Sequence, residues 1–298
     1  MNNKAKIFLA ATVITCTLAS CGGEEKDTTN KVKPEDTTTV EPVEDQVFYQ
    51  IPTPNELFTV IKEIGGTGKK DLMNPIENTE KYLDAKFKAL NFGIYSADLA
   101  YASCYDMGTL SLEYFKAVEK MGDELDISAA FDESVFKRIE DNLNSSDSLL
   151  SISNETYFDA YSYLEENERG NVLALVVAGG WVESMYIVMN LAGDYKDNNP
   201  IVARLADQKY TLDNILAFMY KYESDEHVKS VIAQLEEVQI LYDALDLVQS
   251  DVQTSNNSDG QLVLSGGGEL KFTKETYTDL FNKIKQFRTD IVNAKANS

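Results

Sequence analysis

The stretch NVLALVVAGGWVESMYIVMNLAG, Asn171 to Gly193, constrains this chain more than any other. It is almost continuously apolar, carries one carboxylate at Glu183, and sits in a chain of formal net charge -22. A run of this length either crosses a membrane or is enclosed by other elements. An acid at mid-span costs about 2.5–3.5 kcal/mol on an insertion scale if it behaves as Asp does, and no Lys or Arg cluster flanks either end. The run is therefore expected as the most buried helix of a soluble domain, with Gly179 and Gly180 allowing a neighbour to approach closely.

Such a helix needs others around it, and the sequence supplies them. PTPNELFTVIKEIGG opens with Pro and stops at Gly65, with Leu57, Phe58, Ile61 and Ile64 on one face. NTEKYLDAKFKALNFGIYSADLAYASCYDM reads as one long helix without Pro. TLSLEYFKAVEKMGDEL repeats at helical spacing through Leu110, Tyr114, Val118, Met121 and Leu125. DESVFKRIEDNL and NETYFDAYSYLEENERG follow, the second ending at Gly170. NPIVARLADQ, TLDNILAFMYKYE and EHVKSVIAQLEEVQILYDALDLV continue the pattern. QLVLSGGGELKF reads as a strand pair turned by its glycines. The last helix, TKETYTDLFNKIKQFRTDIVNA, is capped by Thr273. The fold class expected is all-α, a multi-helix bundle with one small β-hairpin near the C-terminus.

The central run has a counterpart. Ala89–Tyr101 set over Ala174–Tyr186 aligns without a gap at a spacing of 85 residues: Ala, Leu and the last Tyr coincide, and Asp98 meets Glu183. That pattern is open to two readings, an internal duplication in which each copy contributes one central helix, or a chance match between two apolar helices. Asp98 and Glu183 are the candidate site, with Tyr101 and Tyr186 three residues beyond each acid, near the same helical face. Two roles are open. Each acid accepts hydrogen bonds from a Tyr hydroxyl or a helix-end amide in a structural polar core, or the two face each other as half of an oxygen-ligand site for a cation or a cationic ligand.

The address is written in residues 1–20. Lys4 and Lys6 precede IFLAATVITCTLA, too short to span comfortably, and LASC, Leu18 to Cys21, ends it. This resembles the lipobox of bacterial lipoproteins. The resemblance implies a signal peptide over 1–20, cleavage before Cys21, and acylation of that cysteine, palmitate included, with several chains giving stable anchoring. Gly22 in place of Asp resembles outer-membrane sorting, and GGEEKD resembles the surface-export tag of Bacteroidota lipoproteins, so the periplasmic and cell-surface faces both stay open. Residues 21–50, rich in Thr, Glu, Asp, Lys and Pro, are expected as the lipidated cysteine and a disordered acidic tether. Residues 51–298 form the helical domain.

With Cys16 in the signal and Cys21 acylated, Cys104 has no partner for an intrachain disulfide. Acidic residues number 49 against 27 basic, which argues against nucleic acid as partner. EIGGTGKK fails as a phosphate loop because Glu63 and Lys70 stand where Gly and Ser/Thr are required, after a helix. SNNSDGQLVLSG lacks the acidic last ligand of a calcium loop. His227 is the chain's single histidine, so histidine zinc sites are excluded, and no Ser or Cys stands in a nucleophile context for it. The tyrosines, 16 in all, either line a ligand groove or fill gaps between helices with their polar tips at the edge. No enzyme activity, cofactor or metal is expected.

LASCGGEE, IPTPNELFTVIKEIG and NVLALVVAGGWVESMYI together resemble uncharacterised helical lipoproteins of Bacteroidota. A duplicated bundle on a lipid tether is also similar to imelysin-like proteins linked with iron uptake. Their GxHxxE motif is absent here, so that likeness bears on fold and not on function. The function expected is a non-enzymatic envelope lipoprotein that binds or scaffolds an envelope protein at the outer membrane. The alternative is a metal- or small-molecule-binding lipoprotein using the central-helix carboxylates.

Overall fold

In the computed structural model, residues 53–132, 134–256 and 262–294 are described. The signal, Cys21, the tether and most of the SNNSDG segment lie outside them.

Two helices make the centre. α2 (Ala85–Cys104) and α6 (Gly170–Ala192) are buried over most of their circumference. They pack directly on one another, and this is the largest helix–helix contact among the described residues. α6 is long and apolar enough to cross a membrane, yet 89% of its most apolar window is buried inside the domain. Its apolar surface is therefore already covered by protein.

Close approach depends on glycine. A Cβ on Gly93 would stand 2.0 Å from the Val176 carbonyl oxygen, and one on Gly179 would stand 2.0 Å from that of Leu90. Gly180 lies against Gly93, and further along Asp98 meets Glu183. The two helices thus run in the same direction, in a register that brings the aligned acids together.

The other helices wrap this pair. α1 (Pro54–Glu63) lies on both central helices, and α3 (Gly108–Glu124) packs on α2. α4 (Val135–Asp141) and α5 (Ser146–Glu166) close that side. α7 (Pro200–Met219) and α9 (Lys274–Val292) pack on α6, and α8 (Glu226–Asp243) lies across α7 and α9. β1 (Asp246–Asn256) and β2 (Leu262–Lys271) form an antiparallel pair beside α7. This is an all-α bundle with one hairpin.

Several boundaries differ from the sequence pattern. NTEKY is not the start of a long helix. Ile76–Lys81 is a 3-10 segment, and Asp84 starts α2 by accepting from the amides of Lys86 and Phe87 at 2.9 and 3.4 Å. α5 begins at Ser146 and ends at Glu166, where Glu168 takes the left-handed turn (φ 58°). Gly170 instead opens α6, where a Cβ would strike the Tyr222 hydroxyl at 2.0 Å. NPIVARLADQ and TLDNILAFM are one helix, because no Gly or Pro interrupts them after Pro200. QLVLSGGGELKF is not a hairpin in itself. Its glycines lie within β2, with Gly267 and Gly268 opposite Ser250 and Gln249, and β1 is drawn from residues with no strong strand signal.

Candidate functional site

The two central acids sit at zero solvent exposure. Glu183 is claimed by α9. Arg288 donates from Nε to one Glu183 oxygen at 2.7 Å and from Nη2 to the other at 2.8 Å. This is the bidentate geometry in which a guanidinium pairs best with a carboxylate. Nη2 also reaches the Leu72 carbonyl at 3.2 Å, and the guanidinium lies 4.2 Å from the centre of the Tyr186 ring. Tyr186 therefore serves the site through its ring face, as a cation–π partner.

Asp98 is served differently. One oxygen, Oδ2, accepts the backbone N–H of Asn74 at 3.0 Å. The other, Oδ1, has no donor among the described residues, while the carboxyl lies within hydrogen-bonding reach of Glu183. Two buried carboxylates in contact repel unless one is protonated. Burial first, and then the Glu183 charge, push Asp98 well above the usual carboxylate range, against the opposing pull of Arg288 and the Asn74 amide. Asp98 is therefore the member of the pair whose carboxyl is held toward its protonated form. Glu183 is the member that faces Arg288.

Around this triad the loop between α1 and α2 is locked in place. Asn74 accepts from the Tyr114 hydroxyl on its carbonyl at 2.9 Å and from Asn78 on its side chain at 2.7 Å, and it donates to the Tyr82 oxygen at 3.0 Å. Tyr82 and Asn91 in turn donate to the carbonyls of Val292 and Ile291 at 3.2 Å each, so the last turn of α9 is tied to α2. Tyr95 donates to the Pro75 carbonyl at 3.0 Å. Burial holds the Tyr82, Tyr95 and Tyr114 hydroxyls above the ordinary tyrosine value.

Tyr101 does not join the acids. Its hydroxyl takes the Lys69 N–H at 2.7 Å, which fastens the EIGGTGKK loop onto α2. In that segment Gly65 (φ 99°) ends α1, and Lys70 begins a 3-10 turn. Cys104 is buried, and burial pushes its thiol up to about 11, which leaves it protonated and inert at neutral pH. His227 is exposed at the start of α8, where Asp225 accepts its backbone N–H at 2.8 Å.

Arg288 is the residue that sequence reasoning missed, although a signal for it exists. It stands four residues after Ile284 and three before Ile291, on the buried stripe of α9, where a long cation needs a buried anion. With Glu183 occupied by Arg288 and Asp98 fully buried with its carboxyl pushed toward the protonated form, the two acids do not stand as open ligands. No group of three or more His, Cys, Asp or Glu side chains arranged for a metal ion occurs among the described residues.

A second feature lies on another face of α6. Gly180, Trp181 and Ser184 form the floor of a half-enclosed cleft of about 250 Å³. α1 gives one wall through Leu57 and Val60, α7 gives the other through Gln208, Thr211 and Ile215, and Tyr157 of α5 lines it as well.

No family model, no curated protein and no solved structure matches this chain.

Proposed function

We propose that the chain is a lipid-anchored envelope protein at the outer membrane that works by binding a partner and not by catalysis. The anchor rests on LASC behind a short charged and apolar leader. One observation carries the rest of the reading. The buried charged centre is closed on itself, with Arg288 paired to Glu183 and both side chains, with Asp98 beside them, packed inside the bundle. It holds the helices together and leaves nothing for a substrate to engage. What remains for function is the acidic surface and the cleft beside α1. The proposed partner is another envelope protein, met on the periplasmic or the cell-surface face.

Fractionation and in-cell crosslinking test this together. Cys21→Ser moves the protein out of the membrane fraction and lowers its mass by the acyl chains. A photo-crosslinker placed at exposed Val60 gives a discrete protein adduct in intact cells, and the adduct weakens when the anchor is removed. Unchanged fractionation and mass remove the anchor. A failure to form any adduct, at Val60 or at other surface positions, removes the binding reading.

A further inference from the structure

We propose that the cleft between α1, α6 and α7 is a binding site for a small aryl or alkyl amine, an apolar body with a cationic head. Its shape comes first. Leu57, Val60, Val177, Trp181 and Ile215 supply apolar walls, and the Gly180 backbone completes the lining. The indole of Trp181, the one tryptophan in the chain, is 6% exposed and is held in place by its N–H to the Gln208 side-chain oxygen at 3.3 Å. At about 250 Å³ the cleft is smaller than the roughly 300–1,000 Å³ of drug-sized sites, so it suits a compact ligand.

Unspent hydrogen-bonding groups come second. The Tyr157 hydroxyl has no hydrogen-bond partner among the described residues, and burial raises it above the ordinary tyrosine value. The Thr211 hydroxyl and the Gln208 amide N–H groups are likewise unpartnered among the described residues. In the packed centre of the same protein such groups are nearly all satisfied, as buried polar groups generally are. Here they converge on an opening.

Charge selects the head group. Three charged side chains edge the cleft: Glu56, Arg204 and Asp207. Arg204 is held by Asp207 at 2.9 Å, so that pair is internally neutralised. Glu56 has no ion pair among the described residues and leaves the rim acidic, in a chain of net charge -22. An anion is repelled there and a cation is drawn in.

The probes are 2-phenylethylamine, its carboxylate counterpart 3-phenylpropionate, and neutral 2-phenylethanol. They are titrated against the mature full-length chain carrying Cys21→Ser. Trp181 emission is the readout, and no other tryptophan competes with it. The expected result is a saturable change with the amine, at least fivefold tighter than with the carboxylate, with the alcohol between them. Glu56→Gln brings amine and carboxylate to within about twofold. Val60→Lys, at an exposed rim position, weakens the amine at least fivefold, and Thr211→Phe, which fills the cleft, abolishes the response while far-UV dichroism is unchanged. The proposal is overturned if no probe saturates, if the carboxylate binds as tightly as the amine, or if Val60→Lys and Thr211→Phe bind the amine as the parent does. None of these outcomes depends on the anchor or on crosslinking, so this site and the partner-binding reading fail separately.

Discussion

Glu183 and Trp181 are two residues apart on α6 and meet opposite conditions. Glu183 faces α2 and α9, where Arg288 holds both of its oxygens. Trp181 faces the gap between α1 and α7, where hydroxyls and amide N–H groups have no partner among the described residues. The difference follows from solvation. A charge taken fully out of water must be paired and hydrogen-bonded, so the centre specifies its own partners and becomes structural. A half-enclosed cleft still meets water, which lets polar groups stay unspent until something else arrives. The presence of a carboxylate on a buried helix is thus weaker evidence of a ligand site than unspent polar groups beside an aromatic floor.

The comparison breaks most sharply at Arg288. Arg288→Met leaves the Glu183 charge buried without its partner, and a loss of about 3–5 kcal/mol in urea unfolding is expected. Adding Glu183→Leu to that variant recovers much of the loss, because the orphaned charge is gone. A double variant no more stable than Arg288→Met would show that the pair is not what the centre depends on.

A second test strikes the close approach that brings the acids together. Gly179→Ala forces the two central helices apart, since its Cβ would stand 2.0 Å from the Leu90 carbonyl oxygen. A cost of about 1–3 kcal/mol is expected, read as a fall in melting temperature. Wild-type stability for this variant would mean that α2 and α6 are not held in this register.

The third sharpens the protonation of the centre. In the fold the Asp98 carboxyl is held well above the usual carboxylate range, so the folded protein keeps a proton that the unfolded chain releases. This contribution is fully present below about pH 4 and is lost as pH rises toward the folded-state value. Asp98→Asn mimics the neutral acid, with an N–H for Glu183 and an oxygen for the Asn74 amide. Its stability relative to the parent should rise from pH 5 to pH 8, and it should be the more stable of the two at pH 8. A difference that is flat with pH, or that falls, would mean that Asp98 is ionised in the fold.

The smallest effect belongs to the cleft. Thr211→Phe should change stability by no more than about 0.5 kcal/mol, because it touches no packed polar group. A loss comparable to that of Arg288→Met would place Thr211 in the core and erase the contrast between the two faces of α6.

The elements were legible where local chemistry decides them. Pro54 and Gly65 bracket α1, Thr273 caps α9, and the apolar run from Gly170 to Ala192 is helical and enclosed. They were less legible where one local signal overrode another. Asp84 outcompeted the helical periodicity of NTEKY, and the uninterrupted run after Pro200 joined two patterns into α7. β1 was missed because Asp246–Asn256 carries no alternation that a single strand could show without its partner. The candidate site was half visible. Asp98 and Glu183 were found because a carboxylate in an apolar run is conspicuous. Their expected tyrosine partners were not the ones used, because Tyr101 turns to Lys69 and Tyr186 offers its ring to Arg288.

By itself the sequence determined that the domain is built of helices, that one of them is enclosed on all sides, and that two acids must be reckoned with inside it. Periodicity and the cost of burying charge are local quantities, readable one segment at a time. Only the tertiary structure decided that Arg288, 105 residues beyond Glu183, pairs with that acid, that Asp98 packs against it in full burial, and that Trp181 floors an open cleft. Those outcomes depend on which faces of distant helices meet, and pairing across space leaves no periodic trace in any one of them.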